Sequence, residues 1–194
     1  MKKLSREDLW SLEQYAERRS AFRGEVMAHK RDRQLALDEH ARLYFEDQLT
    51  IKYQIQEMLR IERIFNRAEI EDELSAYNPL IPDGSNWKAT FMIEYGDVEE
   101  RRVALAKLRG VEDKLWMQVD GCEKVWAIAD EDMDRENEDK TSSVHFVRFE
   151  LAPEMVKAAK AGAAIGAGID HPAMTVAVKP IPDNVRSSLA ADLD

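Results

Sequence analysis

Two glutamates and a histidine are the residues of this sequence best placed to do chemistry. Glu57 and Glu62 lie in TIKYQIQEMLRIERIFNRAEIEDELSAYNPLIP, residues 50–82, and His145 lies in SSVHFVRFEL. On a helix from Ile51 to Phe65, at about 100° per residue, Glu62 projects between Ile51, Ile55, Met58 and Leu59, and Glu57 between Tyr53, Ile61 and Ile64. A carboxylate in apolar company costs several kcal/mol unless it is protonated or partnered. The chemical reading is a carboxyl group of raised pKa that acts as general acid or base, or ligates a metal, with an arginine and His145 beside it. The structural reading is an ion pair. Arg60 stands three residues from Glu57, and Arg23, Lys30, Arg31 and Arg33 lie in the preceding segment. The two glutamates are five residues apart, near opposite flanks of one helix, so a paired-carboxylate mechanism on this helix is disfavoured.

The helix that must position them is apolar over most of its circumference. Ile51, Ile55, Met58, Leu59 and Phe65 form one arc, and Tyr53, Ile61 and Ile64 a second beside it. Lys52, Gln56, Arg60 and Arg63 remain as a wet stripe, the candidate partner-binding surface. That pattern predicts a central buried helix with Thr50 as its cap.

Around it, the spacing predicts a helix over 12–30, breakable at Ser20 or Gly24, then a hairpin from Arg33–Leu37 and Arg42–Glu46. Asn66 and Glu69 cap a helix over Arg67–Tyr77 that Pro79 and Pro82 end. Trp87–Tyr95 alternates as a strand, and Asp97 opens a helix that Gly110 stops. Leu115–Val119 and Cys122–Ile128 flank the hairpin dipeptide Asp120-Gly121. Val144–Leu151, Ala163–Ile169 and Met174–Val178 read as strands, and Pro153–Ala161 and Asn184–Leu193 as helices. Hairpins outnumber any βαβ rhythm, so the fold class is α+β: a helical N-terminal third with a central buried helix on a mainly antiparallel sheet. A single domain is expected, residues 1–82 forming a mainly helical subdomain and 83–194 a sheet with flanking helices.

Composition narrows the function classes. A charged share of 34% and a formal net charge of -10 argue against general binding to nucleic acid or anionic membranes. The charge is uneven: residues 1–67 hold 14 basic against 12 acidic side chains, and the remainder 14 against 26. No apolar run is long enough for a membrane span, and MKKLSREDLW lacks the apolar core of a signal peptide. Cys122 is the single cysteine, which excludes an internal disulfide and a CxxC metal or redox site; the cytoplasm is the expected compartment.

Other patterns fall short of a motif. No HExxH occurs, and none of His29, His40, His145 and His171 follows a glutamate by three residues, as a di-iron bundle requires. Glu25 and His29 stand one helical turn apart, a metal pair without further ligands. Asp130, Asp132 and Asp134 match the first three positions of a calcium loop, but Arg135 replaces the required glycine and Thr141 the bidentate glutamate, so 129–140 reads as a solvated acidic loop. Gly162, Gly166 and Gly168 match no nucleotide loop and read as close strand packing. Ser142 and Ser143 near His145 lack a nucleophile elbow. No cofactor or metal set is therefore expected.

At TIKYQIQEMLRIERI with ELSAYNPLIP, and again at SSVHFVRFEL and IDHPAM, the sequence resembles the bacterial DUF3501 family of unknown function over essentially its whole length. The resemblance carries over Thr50, Gln54, Glu57, Arg60 and Glu62, with His145 and His171, and brings no catalytic role with them. Genes of such proteins often neighbour those of rubrerythrin-like proteins and iron–sulfur oxidoreductases, which implies a redox or peroxide-stress setting. Two expectations follow. The first is a non-catalytic accessory protein that docks on such a redox partner. The alternative is a small enzyme or a ligand- or metal-binding protein using Glu57 or Glu62 with an arginine and His145.

Overall fold

A computed structural model describes residues 2–131 and 140–194 of the 194-residue chain; Asp132 and Asp134, with most of the acidic loop, lie outside the described residues. The elements in order are α1 (Leu12–Lys30), β1 (Gln34–Ala36), β2 (Ala41–Phe45), α2 (Gln48–Glu62), α3 (Arg67–Tyr77), β3 (Asn86–Ile93), α4 (Val98–Lys107), β4 (Leu115–Val119), β5 (Lys124–Trp126), β6 (Ile128–Ala129), β7 (Val144–Glu150), α5 (Pro153–Lys160), β8 (Ile165–His171), β9 (Met174–Val178) and α6 (Asp183–Ala191). The strands form two antiparallel sheets, β1-β2-β3-β7-β6 and β5-β4-β8-β9. The α+β class read from the sequence is the class of the structure.

Alternation sets the main core. β3 points Trp87, Ala89, Phe91 and Ile93 inward, β7 His145, Val147 and Phe149, and β4 Leu115, Met117 and Val119, with α5 and α6 adding Met155, Ala159, Val185 and Leu189. β8 is buried on both faces, and there glycine is a steric necessity. A Cβ on Gly168 would stand 2.3 Å from the Val176 carbonyl oxygen and 2.5 Å from Trp116 Cζ2. Close packing, as the sequence suggested, accounts for Gly168; Gly162 instead adopts a left-handed φ of 93° with open space around it. The chain passes between the sheets at Ala127, whose N–H bonds the Leu115 carbonyl as β5 of one sheet gives way to β6 of the other.

α1, α2 and α3 cluster apart from this core. α2 packs between α1 and α3: Ile51, Ile55, Leu59 and Ile64 meet Leu4, Leu74 and Ile81, while Tyr15, Phe22 and Val26 of α1 gather Trp10, Leu49 and Tyr53. α1 runs unbroken through Ser20 and Gly24. α2 begins three residues earlier than the sequence suggested. Asp47 is the cap and Thr50 its reciprocal partner, the Asp47 Oδ1 accepting the Thr50 N–H and the Thr50 hydroxyl oxygen accepting the Asp47 N–H, both at 2.9 Å. The helix ends at Glu62 because Arg63 turns into the left-handed region, φ 56°, its N–H bonding the Leu59 carbonyl.

Arg33 ties the two halves together. Only 2% exposed, its guanidinium donates to the Phe45 carbonyl (3.1 Å), the Glu46 carbonyl (3.0 Å), Ser188 Oγ (3.0 Å) and both oxygens of Asp192 (3.1 and 2.6 Å). Asp47 lies 3.2 Å from its Nε and 2.5 Å from His29 Nε2. One side chain thus joins the end of α1, β2, the α2 cap and the end of α6. Such a buried pair is costly to break, because each survivor keeps its desolvation penalty. We expect Arg33→Leu to lower the unfolding free energy by about 3–5 kcal/mol, measured by chemical denaturation. Gly168→Ala is expected to cost about 1–3 kcal/mol in the same assay.

Candidate functional site

The structure separates the three residues that the sequence placed at the head of the list. Glu57 is an ion-pair centre between α1 and α2. Its carboxylate accepts from Tyr15 Oη (2.6 Å), from Arg19 Nε (2.7 Å) and Nη2 (2.9 Å), and from Arg60 Nη2 (3.1 Å). The arginine hydrogen bonds, Arg19 first, hold its pKa down to about 2 against the opposing effect of burial. The structural reading therefore holds for Glu57, with Arg19 rather than a residue of 23–33 as the second partner. Glu62, expected among apolar side chains, is exposed instead: α2 stops at this residue, so the arc that would have covered it is never completed. Ile61 and Phe65 are exposed for the same reason, at 62% and 79%.

The predicted wet stripe is wet only in part. Gln56 is fully buried, accepting the Trp10 N–H at 2.7 Å and donating to the Trp10 carbonyl at 3.3 Å, so it is a clamp on the entry to α1. Lys52 lies with its ammonium 4.2 Å from the Trp10 ring centroid. Arg60 is engaged by Glu57, and Arg63 is the exposed left-handed terminus of α2. Of the residues carried by resemblance, Gln54 is exposed, and His171 organises the β8–β9 turn, its Nε2 donating to the Arg109 carbonyl (2.9 Å) and its Nδ1 accepting from Ala173 N (3.1 Å). His29 meets Asp47, not Glu25.

His145 builds a polar centre that the sequence reading did not assemble. β7 aims it inward between Val147 and Phe91, and it has no exposed surface. Nδ1 lies 2.5 Å from Asp130 Oδ2. Around Nε2 stand Thr141 Oγ1 and the Ser142 carbonyl, each at 3.0 Å, and Glu112 Oε2 at 3.8 Å. The Thr141 hydroxyl also reaches Glu112 Oε2, at 3.2 Å. Asp130 is fixed by β6–β7 pairing: its N–H bonds the Phe146 carbonyl, its Oδ1 accepts the Phe146 N–H at 3.1 Å, and its backbone is left-handed, φ 49°. Glu112 comes from a 3-10 turn, Val111–Lys114, ahead of β4. Asp130, read as part of a solvated loop, and Thr141 and Glu112 were not joined to His145 in the sequence, because register and sheet packing alone bring them together. The legible signal was His145 on the inward phase of an alternating strand. Ser142 and Ser143 do not present a hydroxyl to it; Thr141 does.

The sequence profile of the family described as protein of unknown function (DUF3501) matches residues 3–193. A crystal structure described as a novel protein of unknown function from Burkholderia pseudomallei K96243 is 49% identical, with 100% of each chain covered and a TM-score of 0.94. No curated protein matches the chain.

The depressed pKa of Glu57 ties stability to pH. In the unfolded chain a glutamate titrates near about 4.3, so the folded state favours its ionised form, and that contribution is present above about pH 5 and lost as pH falls toward about 2. We expect wild type to melt higher than Glu57→Gln at neutral pH. The gap should close between about pH 5 and pH 2 in calorimetry at matched salt.

Proposed function

Since the chain belongs to the family described as protein of unknown function (DUF3501), we propose that it is a non-catalytic accessory protein that docks onto a partner through the corner where α2 ends. Phe65 carries this reading. Its ring, 79% exposed, stands at a groove of about 310 Å³ lined by Leu9, Trp10, Leu12, Leu59, Ile64 and Ile70. A large aromatic beside a concave apolar surface is the usual anchor of a protein interface. The left-handed turn at Arg63 makes the arrangement, since it sends Ile64 inward and Phe65 outward.

The groove has basic neighbours. Arg6 and Glu7 line it, and Arg60 (paired with Glu57), Glu62, Arg63 and Arg67 flank Ile61 and Phe65 along the chain, so Arg63 and Arg67 supply the basic excess. A complementary partner presents apolar side chains in an acidic surround. The resemblance points to rubrerythrin-like or iron–sulfur oxidoreductase proteins as the class to try first, in redox or peroxide-stress physiology. Gln56 leaves this surface, since it is buried against the Trp10 backbone, and Lys52 stays at its margin with its ammonium over the Trp10 ring. An enzyme built from Glu57 or Glu62 with His145 is the weaker reading, because the described residues place those groups in separate surroundings.

Titration calorimetry at low salt with a purified rubrerythrin-like or iron–sulfur oxidoreductase protein of the same organism tests this. Binding at about micromolar Kd is expected, weakened by added salt. Phe65→Asp should weaken it at least about tenfold without lowering the melting temperature. Absence of binding heat at low salt for both partner classes would overturn the proposal.

A further inference from the structure

We propose that His145 Nε2 and Glu112 bind one divalent transition-metal ion, with Asp130 holding the imidazole from behind. A carboxylate only accepts hydrogen bonds, so the 2.5 Å contact with Asp130 Oδ2 places a proton on Nδ1 and turns the Nε2 side toward Thr141, Ser142 and Glu112. Those neighbours offer oxygens. The Nε2 lone pair can accept the Thr141 hydroxyl proton, and the Ser142 carbonyl and Glu112 carboxylate oxygens beside it are donor atoms that a cation can share with it.

Distance suits a cation. Donors about 2.1 Å from a tetrahedral ion stand about 3.4 Å apart; Nε2 and Glu112 Oε2 are 3.8 Å apart, so a small side-chain shift closes the pair on an ion. One donor atom from each of Glu112, Asp130 and His145 lies within 4.8 Å of the others. The two imidazole nitrogens nevertheless point to opposite sides of the ring, so Asp130 at Nδ1 cannot share an ion held at Nε2. Its place is that of the carboxylate that orients a metal-bound histidine. One imidazole nitrogen among oxygens suits zinc, iron(II) or manganese(II) rather than copper(I).

The test uses the full chain, stripped of metal and titrated with zinc and with manganese by calorimetry, and with cobalt(II) by visible absorption. We expect about one ion per chain. Glu112→Gln should weaken zinc binding about 100-fold or more, and Asp130→Asn about 10- to 100-fold with an altered cobalt spectrum. Melting in the presence of a chelator confirms that each variant is folded. If Asp130→Asn does not fold, Glu112→Gln decides. Binding no tighter than about 1 mM in the wild type would overturn the site. Stoichiometric binding unchanged by Glu112→Gln would overturn it equally.

Discussion

The buried guanidinium of Arg33 is the constraint on which the arrangement of helices and sheets depends. A charge 2% exposed tolerates no slack: its donors reach two backbone carbonyls of the β2–α2 connection, a serine hydroxyl and a bidentate carboxylate. The partners come from opposite ends of the chain, Asp192 standing 159 positions from Arg33. Burial pushes the Asp192 carboxyl up and Arg33 pulls it back, so the pair holds its charges only while both stay in place. The α2 cap residue Asp47 belongs to the same group, which couples the start of α2 to the docking of α6.

The two other charged centres show how setting divides similar groups. Glu57 lies between helices where arginines can reach it, and it is held ionised by three donor side chains. Asp130 and Glu112 lie against the sheets, where the inward phase of β7 supplies an imidazole. Helix surfaces bring long cationic side chains together at three- and four-residue spacing, whereas sheet interiors admit a polar group only with its partner delivered by register.

What the sequence made legible follows from range. Asn66 and Asp97 as helix caps, the alternating strands and the role of Gly168 are local or sterically forced, and each is found in the structure. The end of α2 was not legible: a periodic apolar pattern ran on to Phe65, but Arg63 adopts a left-handed conformation that sequence pattern does not disclose. That one turn exposes Glu62, Ile61 and Phe65 together. Gln56 read as wet because polarity was taken for exposure; the Trp10 backbone, 46 positions away, claims it. The His145 centre joins Glu112, Asp130 and Thr141 through pairing between sheet elements, a long-range outcome that local pattern does not encode.

The passage of the backbone at Ala127 from β5 to β6 has a mechanical consequence. Two stacked sheets joined by loops alone can slide or part as separate bodies. Here a nearly continuous ribbon is sewn into an edge of each, and the amide of the crossing residue is itself bonded to β4. Opening one sheet at that seam strains the other, so the β-structure should loosen as one cooperative unit in native-state hydrogen exchange rather than as two.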